Sequence, residues 1–293
     1  MANNNLRGIA LLITAMAFFA ATDACVQLAT QTLPKGQVLS LMGGGGALIF
    51  AALTRSKGHR LIAADLVSWP MLLRNSAEIV ATFSFVTALS TVGISLASSV
   101  IQATPLAVTF FAIILLKEQV GWRRWGAILI GFAGVLIILR PGLSGFEPNA
   151  LWAVAAMLGL ALRDVSTRLM PGTTPSTRIA FYGMAVLTLG GWVHMLLIEP
   201  PQPLTVASSS YVLGTVVLGS LGYFAMIQAM RTGEISVVAP FRYIRIIFAL
   251  IVGAIVFGER PDLLTYLGCG ITIAAGIYAF WREARLSKKG NAS

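Results

Sequence analysis

Long apolar runs, separated by short polar segments, make up most of the chain. A bilayer core about 30 Å thick is crossed by a helix of about 20 apolar residues, so each run of this length predicts a membrane span. The runs cover residues 9–28, 37–54, 71–90, 94–116, 123–139, 150–170, 178–197, 211–230, 235–257 and 263–281. The pattern predicts an all-α integral membrane protein with ten transmembrane helices.

Composition excludes a water-soluble protein, because 57% of the residues are apolar and only 11% are charged, whereas soluble domains have roughly 25% charged residues. The net charge of +10 comes from basic residues in short loops between apolar runs. This distribution is typical of membrane topology and not of a nucleic-acid surface. Cys25 and Cys269 lie inside apolar runs, so neither a disulfide framework nor a metal site is expected, and no cofactor.

Basic loop residues are distributed unevenly between the two sides of the predicted bundle. Ten spans place both termini on one side, which holds most of the loop Lys and Arg residues. The other side has only Lys35, Arg140 and Arg260. Loops rich in Lys and Arg stay in the cytoplasm. We therefore predict cytoplasmic termini and a multi-pass location in the inner (plasma) membrane.

An internal repeat emerges when the chain is compared with itself at an offset of 141 residues. The matched pairs are Ala15-Met16 with Ala156-Met157, Asp23 with Asp164, Phe83 with Phe224, Ile94-Ser95 with Ile235-Ser236, and Glu118 with Glu259. The halves, residues 1–145 and 146–293, each hold five spans. An odd number of spans inverts the second copy, so the sequence predicts two inverted five-helix repeats, an architecture typical of transporters.

Charged residues inside spans are the first functional candidates, because an unpaired charge there costs about 2.5 to 3.5 kcal/mol. They are Asp23, Arg74, Glu78, Arg163, Asp164, Arg168, Arg242 and Arg245. Arg74 with Glu78, and Asp164 with Arg168, are four residues apart and can neutralise each other on one helical face.

Arg242 and Arg245 have no acid within one turn of their own helix, and Tyr243 lies between them. A guanidinium there suits a substrate carboxylate or another anion. The alternative is an interhelical ion pair with Asp23, Glu78 or Asp164 that only stabilises the fold.

Further candidates fall into two groups. Glu78, Phe83, Tyr223 and Phe224 are predicted to line a substrate cavity, although such aromatic rings also serve as packing or lipid-facing residues. Asp23 and Asp164, at equivalent positions of the repeat, are candidates for proton coupling or for hydrogen-bonded struts between helices.

Two prolines inside predicted helices are candidates for moving parts. Pro105 and Pro240 each remove a backbone donor. They are predicted to mark bending elements of alternating access, with passive kinks as the alternative.

The ordered set of motifs resembles the EamA family of the drug/metabolite transporter superfamily. Each half opens with an Asp-bearing helix and ends its fourth helix in a Glu, within LLKEQ at 115–119 and VFGERP at 256–261. The resemblance implies a central cavity lined by helices 3, 4, 8 and 9 with 1 and 6, and export of small metabolites such as amino acids, including aromatic ones. Many relatives have Lys at the position of Gln27.

The leading functional hypothesis is a secondary transporter that moves a small molecule through a midplane cavity, and a monomer is the expected assembly. A carrier of anionic cargo, such as sugar phosphates or nucleotide sugars, is the alternative. The chain has no Walker A motif for ATP, and its two histidines, His59 and His194, belong to no HExxH motif. An enzyme is therefore not expected, and a receptor would leave the duplication unexplained.

Overall fold

The computed structural model describes residues 2–117, 121–141, 146–232 and 238–290, and in these ranges it contains helices and no β-strand. Ten α-helices of at least twelve residues lie in the described part. They are α1 (Ala2–Ala29), α2 (Lys35–Ser56), α3 (Trp69–Ile101), α4 (Thr104–Leu115), α5 (Trp122–Leu139), α6 (Leu151–Arg168), α7 (Ser176–Leu197), α8 (Val206–Thr232), α9 (Arg245–Val256) and α10 (Leu263–Gly290). Short 3₁₀ segments cover Ala64–Val67, Pro148–Ala150 and Ala239–Ile244.

Seven of these helices contain apolar stretches long enough to cross a bilayer, in α1, α2, α3, α6, α7, α8 and α10. Two shorter apolar helices cover Thr104–Leu115 and Trp125–Leu139. Several long apolar helices in one chain confirm a multi-pass membrane protein.

The run predicted as one helix over 94–116 is divided in the structure. Residues up to Ile101 continue α3 across a kink at Gly93, whose φ of 80° and ψ of 170° are not helical. A new helix begins at Thr104, with Pro105 in its first turn. Proline is accepted there because the N–H that it lacks would have no helical partner. The gap predicted between the spans 71–90 and 94–116 contains the kink at Gly93, but the break at residues 102–103 was not predicted.

The run predicted over 235–257 also differs. Its described part begins as a 3₁₀ segment that contains Pro240, Arg242 and Tyr243, and α9 starts only at Arg245. Arg245 therefore lies at the first turn of an α-helix and not in the middle of one. Ile235 and Ser236 lie outside the described residues, as does Glu118.

Helix packing joins the two halves of the chain throughout. The most extensive contacts are α1 with α8, α2 with α7, α3 with α6, and α5 with α10, followed by α4 with α6 and α1 with α9. Each helix from α1 to α5 corresponds to the helix five places later in the second half. When every helix is replaced by its counterpart, the contact of α1 with α8 becomes that of α6 with α3, and the contact of α1 with α9 becomes that of α6 with α4. The contacts of α2 with α7 and of α5 with α10 stay the same. A buried apolar cluster in α3 and α6 extends to residues of α1, α2, α5 and α9.

The α2–α7 seam brings two helix backbones into direct contact. A Cβ atom added to Gly43 would lie 2.8 Å from the carbonyl oxygen of Met184, and one added to Gly191 would lie 2.7 Å from the amide nitrogen of Ser40. No larger side chain fits at either glycine. Small residues allow this close approach between membrane helices.

Candidate functional site

Four charged side chains form one partly buried group, which we call the α3–α6 charge cluster: Arg74, Glu78, Arg163 and Asp164. Glu78 Oε2 accepts from Arg74 Nη2 at 2.8 Å, and Glu78 Oε1 accepts from Arg163 Nη1 at 3.2 Å. Arg163 also donates from Nη2 to Asp164 Oδ1 at 2.7 Å. One carboxylate thus serves two guanidinium groups, and the four formal charges cancel.

The predicted pairing of Arg74 with Glu78 is confirmed, and the two side chains lie where two other helices approach α3. Arg74 also donates to Asn75 Oδ1 at 3.0 Å. A Cβ atom at Gly183 of α7 would lie 2.9 Å from Arg74 Nη2, so the glycine makes room for the guanidinium. Arg74 is buried within the helix bundle.

Tyr223 brings α8 to the same cluster. Its ring packs edge-on against Phe50, with 4.9 Å between ring centroids. Its hydroxyl group interacts electrostatically with Arg74, Arg163 and Glu78. The structure therefore brings the predicted residues Glu78, Asp164 and Tyr223 together.

A second group, the α1–α9 ion pair, joins Asp23 to Arg245. Asp23 Oδ2 accepts from Arg245 Nη2 at 2.6 Å, and the Asp23 side chain is only 9% exposed. The guanidinium carbon lies 5.8 Å from the ring centroid of Phe19 and 5.7 Å from that of Phe85. Because both rings present cation–π distances, the pair also connects α1 and α9 to α3. This is one of the interhelical pairs that the sequence left open.

Arg242 and Tyr243 precede this pair in the 3₁₀ segment. Arg242 is exposed and, among the described residues, its side chain pairs with no acid. Tyr243 is buried, and its carbonyl oxygen accepts from Gln102 Nε2 at 2.8 Å. Its hydroxyl group packs against Gly276 of α10 and has no hydrogen-bond partner in the described part of the chain.

Two aromatic candidates lie apart from these groups. Phe83 faces α7, where its ring stacks on His194 with centroids 5.4 Å apart and contacts Gly190. Phe224 is 59% exposed, on the same face of α8 as the exposed residues Val217 and Leu221. That apolar stripe is typical of a surface in contact with lipid. The structure does not bring either ring to the charges.

Sequence reasoning underestimated Arg163, because its partner Glu78 lies on another helix and 85 residues away. It paired Asp164 with Arg168 by spacing, whereas the structure shows Asp164 with the adjacent Arg163. The sequence did contain one signal for such a contact, the excess of arginine over acidic residues in these spans. A buried guanidinium is costly without an acid, so some of these acids were expected to serve arginines of other helices.

Comparison with known proteins identifies the family. The EamA-like transporter family matches the chain twice, over residues 6–140 and 148–281. The chain belongs to this family, whose members are transporters and not enzymes. The inner-membrane location predicted from the sequence agrees with this assignment.

Among individual relatives, the pseudopaline exporter CntI of Pseudomonas aeruginosa (strain UCBPP-PA14) is 26% identical over 97% of both chains. The S-adenosylmethionine uptake transporter of Rickettsia prowazekii (strain Madrid E) is 26% identical over 66% of this chain, which spans 65% of that relative. The riboflavin transporter of Vibrio cholerae is 26% identical over 65% of this chain and 64% of its own length. A crystal structure with the same fold has a TM-score of 0.60 at 18% identity, covering 94% of this chain and 97% of that one.

Proposed function

We propose that the protein is a secondary transporter that exports small metabolites by alternating access, most favourably amino acids or amphipathic molecules with an amino-acid head group. The observation that carries this proposal is the pair of charge-neutral groups at the contacts between the two halves. Each holds acids and guanidinium groups in hydrogen-bond distance. A zwitterion can exchange partners with such groups without changing the net charge of the site.

The proposed architecture is ten spans in two inverted repeats, residues 1–145 and 146–293, with both termini in the cytoplasm. Two hydrogen bonds support the two-fold relationship, because each joins residues 141 positions apart: Gln102 to the carbonyl of Tyr243, and Thr272 to the carbonyl of Gly131. Contacts between repeat-equivalent residues are expected along a two-fold axis. In inverted-repeat transporters the substrate site lies near the bilayer midplane, where the halves meet.

In this proposal Arg245 and Arg163 bind the substrate carboxylate. Asp23 and Glu78 receive the substrate ammonium group, with Asp164 beside them. The rings of Phe19 and Phe85, which already face the Arg245 guanidinium, favour an aromatic or amphipathic side chain on the substrate.

Other candidates have supporting roles. Tyr223 supplies a hydroxyl group beside the α3–α6 charge cluster, whereas the Tyr243 hydroxyl lies against Gly276 of α10 and its role is to support the 3₁₀ segment. Phe83 and Phe224 are left out of the site because their rings face α7 and the exposed stripe.

Movement is assigned to the broken segments. α4 begins after a break at residues 102–103, with Pro105 in its first turn, and α9 begins after the 3₁₀ segment that contains Pro240. Chain without continuous helical hydrogen bonds bends at lower cost than a regular helix. We assign these two breaks as the bending points that open the cavity to one side and then the other.

The names of the relatives support a metabolite as substrate without agreeing on one. S-adenosylmethionine carries an amino-acid head group, which suits the proposed ionic contacts, whereas riboflavin does not. Proton coupling is part of the proposal through Asp23, because a carboxyl group that exchanges Arg245 for a substrate also has a position in which to accept a proton.

A carrier of anionic cargo, such as a sugar phosphate or nucleotide sugar, is the second candidate. Arg242 favours it, since this guanidinium is exposed and has no acid partner among the described residues. A phosphate group would take bidentate hydrogen bonds from it.

The test is uptake into liposomes of labelled amino acids, S-adenosylmethionine and phosphorylated sugars, each with and without a pH gradient. We expect amino-acid flux that Arg245→Lys reduces at least tenfold, because Lys lacks the planar fork of Arg, and that Phe224→Ala leaves unchanged. Phosphate-ester flux that Arg242→Ala abolishes would instead favour the second candidate. Flux of neither class would contradict the proposed substrates.

A further inference from the structure

The Glu259 carboxylate lies outside both charged groups, and its hydrogen bonds connect the two halves at one end of the bundle. Oε1 accepts from the backbone N–H of Ile94 at 2.9 Å, and Oε2 accepts from that of Ser95 at 2.8 Å. These N–H groups follow directly on the kink at Gly93. The kink deprives them of helical acceptors, and a carboxylate from the other half of the chain supplies the acceptors instead.

Three glycines build the contact. A Cβ atom at Gly93 or at Gly253 would collide with the Glu259 carboxylate, and one at Gly253 would also collide with the Ser95 hydroxyl. Gly258 has a φ of 67°, a left-handed conformation that suits glycine, and turns the chain back after α9. The turn is closed by the N–H of Glu259, which donates to the carbonyl oxygen of Gly253 at 2.9 Å.

The environment of Glu259 distinguishes it from a buried strut. The residue is only half-buried at the end of α9, so water can replace its two N–H donors when the helices separate. Glu259 joins two segments that each follow a break in helical hydrogen bonding. One is the part of α3 after the kink at Gly93, and the other is α9, which follows the 3₁₀ segment Ala239–Ile244. Hydrogen bonds from backbone N–H groups to a carboxylate are strong but directional, so a small displacement breaks both together.

We propose that Glu259 is a latch that holds one mouth of the transporter closed, and that both its hydrogen bonds break each time this mouth opens. By the predicted topology, residues 93 and 259 lie on the outer side, so the latch closes the exit. This inference rests on the proposed alternating access but not on the identity of the substrate.

The test measures access to the mouth without any substrate. Ser98 lies one turn beyond Ile94 and is 2% exposed, and its hydroxyl has no hydrogen-bond partner in the described part of the chain. In a Cys25→Ala, Cys269→Ala background, the Ser98→Cys variant is treated in right-side-out membrane vesicles with a membrane-impermeant maleimide. With Glu259 intact we expect slow labelling. Glu259→Gln, which retains an acceptor for only one N–H, is expected to speed labelling at least tenfold.

Matched controls separate the latch from general loosening. Glu199→Gln neutralises an exposed acid on the same predicted side and is expected to leave the labelling rate of Ser98→Cys unchanged. Thr32→Cys is exposed in a loop, so it is expected to label equally fast with either residue at 259. Equal labelling of Ser98→Cys with Glu259 and with Gln at that position would overturn the latch.

A second variant tests the same mouth should Glu259→Gln fold poorly. Glu259→Asp keeps the negative charge but shortens the side chain by one methylene group, so its carboxylate cannot reach both N–H groups and the variant is expected to speed labelling of Ser98→Cys in the same way. Labelling as slow with Asp as with Glu at position 259 would contradict the latch. Absence of amino-acid flux in the unmodified protein would contradict only the proposed substrate. The labelling experiment would still test whether Glu259 holds the mouth closed.

Discussion

Asp23 and Asp164 occupy equivalent positions of the repeat, yet their surroundings differ. Among the residues that the structure describes, Asp23 has one ionic partner, Arg245, and its side chain is 9% exposed. Asp164 is 31% exposed and pairs with Arg163, which has Glu78 as a second acid. Duplication thus placed the same acid twice, and the two halves use it differently. Asp23 forms a pair with Arg245. Asp164 belongs to a cluster in which its partner Arg163 also bonds to Glu78.

Arg245→Ala is expected to have the largest effect. It leaves the Asp23 carboxylate buried without its guanidinium, and breaking a buried pair in this way costs about 3 to 5 kcal/mol. Thermal unfolding in detergent measures the loss, and Arg7→Ala, at an exposed position, is the control. Adding Asp23→Asn to Arg245→Ala is expected to recover part of the stability. Unchanged unfolding of the single variant would show that Asp23 is not dependent on Arg245.

Glu78→Gln is expected to follow, with a loss of about 2 to 4 kcal/mol. It removes the carboxylate that two guanidinium groups share, but Arg163 keeps Asp164 and Arg74 keeps Asn75. The same unfolding measurement applies, with Glu199→Gln as an exposed control. A loss equal to that of the control would mean that the α3–α6 charge cluster contributes no stability.

Asp164→Asn is expected to cost about 1 kcal/mol, because Arg163 retains Glu78 and the site is partly exposed. Its direct comparison is Asp23→Asn, which leaves Arg245 without an acid among the described residues. Measured side by side, the Asp23 variant should unfold at the lower temperature. The reverse order would contradict the difference between the halves that the contacts indicate.

The smallest effect concerns the tie between Arg140, at the end of α5, and Asp262, just before α10. The hydrogen bond from Arg140 lowers the pKa of Asp262 to about 2, helped by hydrogen bonds from Thr265. A depressed pKa contributes stability above the ordinary value near 4 that is lost as the pH falls through 2. Because the carboxylate is 48% exposed, we expect Asp262→Asn to cost below about 1 kcal/mol at pH 7.

The pH dependence of that variant provides its check. The difference in unfolding temperature between the wild type and Asp262→Asn should be constant from pH 7 to 5 and diminish only below about pH 4. A difference that disappears between pH 7 and 5 would contradict the assigned pKa.

Apolar length made most helices predictable from the sequence. The predicted span 37–54 lies within the observed Lys35–Ser56, and 178–197 within Ser176–Leu197. Both helices begin directly after a proline, Pro34 and Pro175, which are 141 residues apart. The predicted boundary between the spans 71–90 and 94–116 coincides with the kink at Gly93. The continuation of α3 to Ile101 and the break at residues 102–103 were not predictable in this way, because hydropathy averages over backbone conformation.

The ionic contacts within one helix were predictable from the sequence, and those between helices were not. Arg74 and Glu78 could be paired from the sequence because helical geometry brings residues four apart together. Arg245 with Asp23, and Arg163 with Glu78, depend on how separate helices pack, and no spacing within one helix encodes that. Glu259 was the least visible, because its partners are backbone N–H groups that any residue type supplies.

The α2–α7 seam determines which parts of the molecule can remain stationary. Gly43 and Gly191 allow main chain to touch main chain, so sliding one helix along the other would drive carbonyl oxygens into neighbouring atoms. We expect α2 and α7 to stay fixed relative to each other during any rocking motion, while the helices on either side of them move. Gly43→Ala is therefore expected to disturb this fixed contact and to impair transport, although the residue lies in neither charged group.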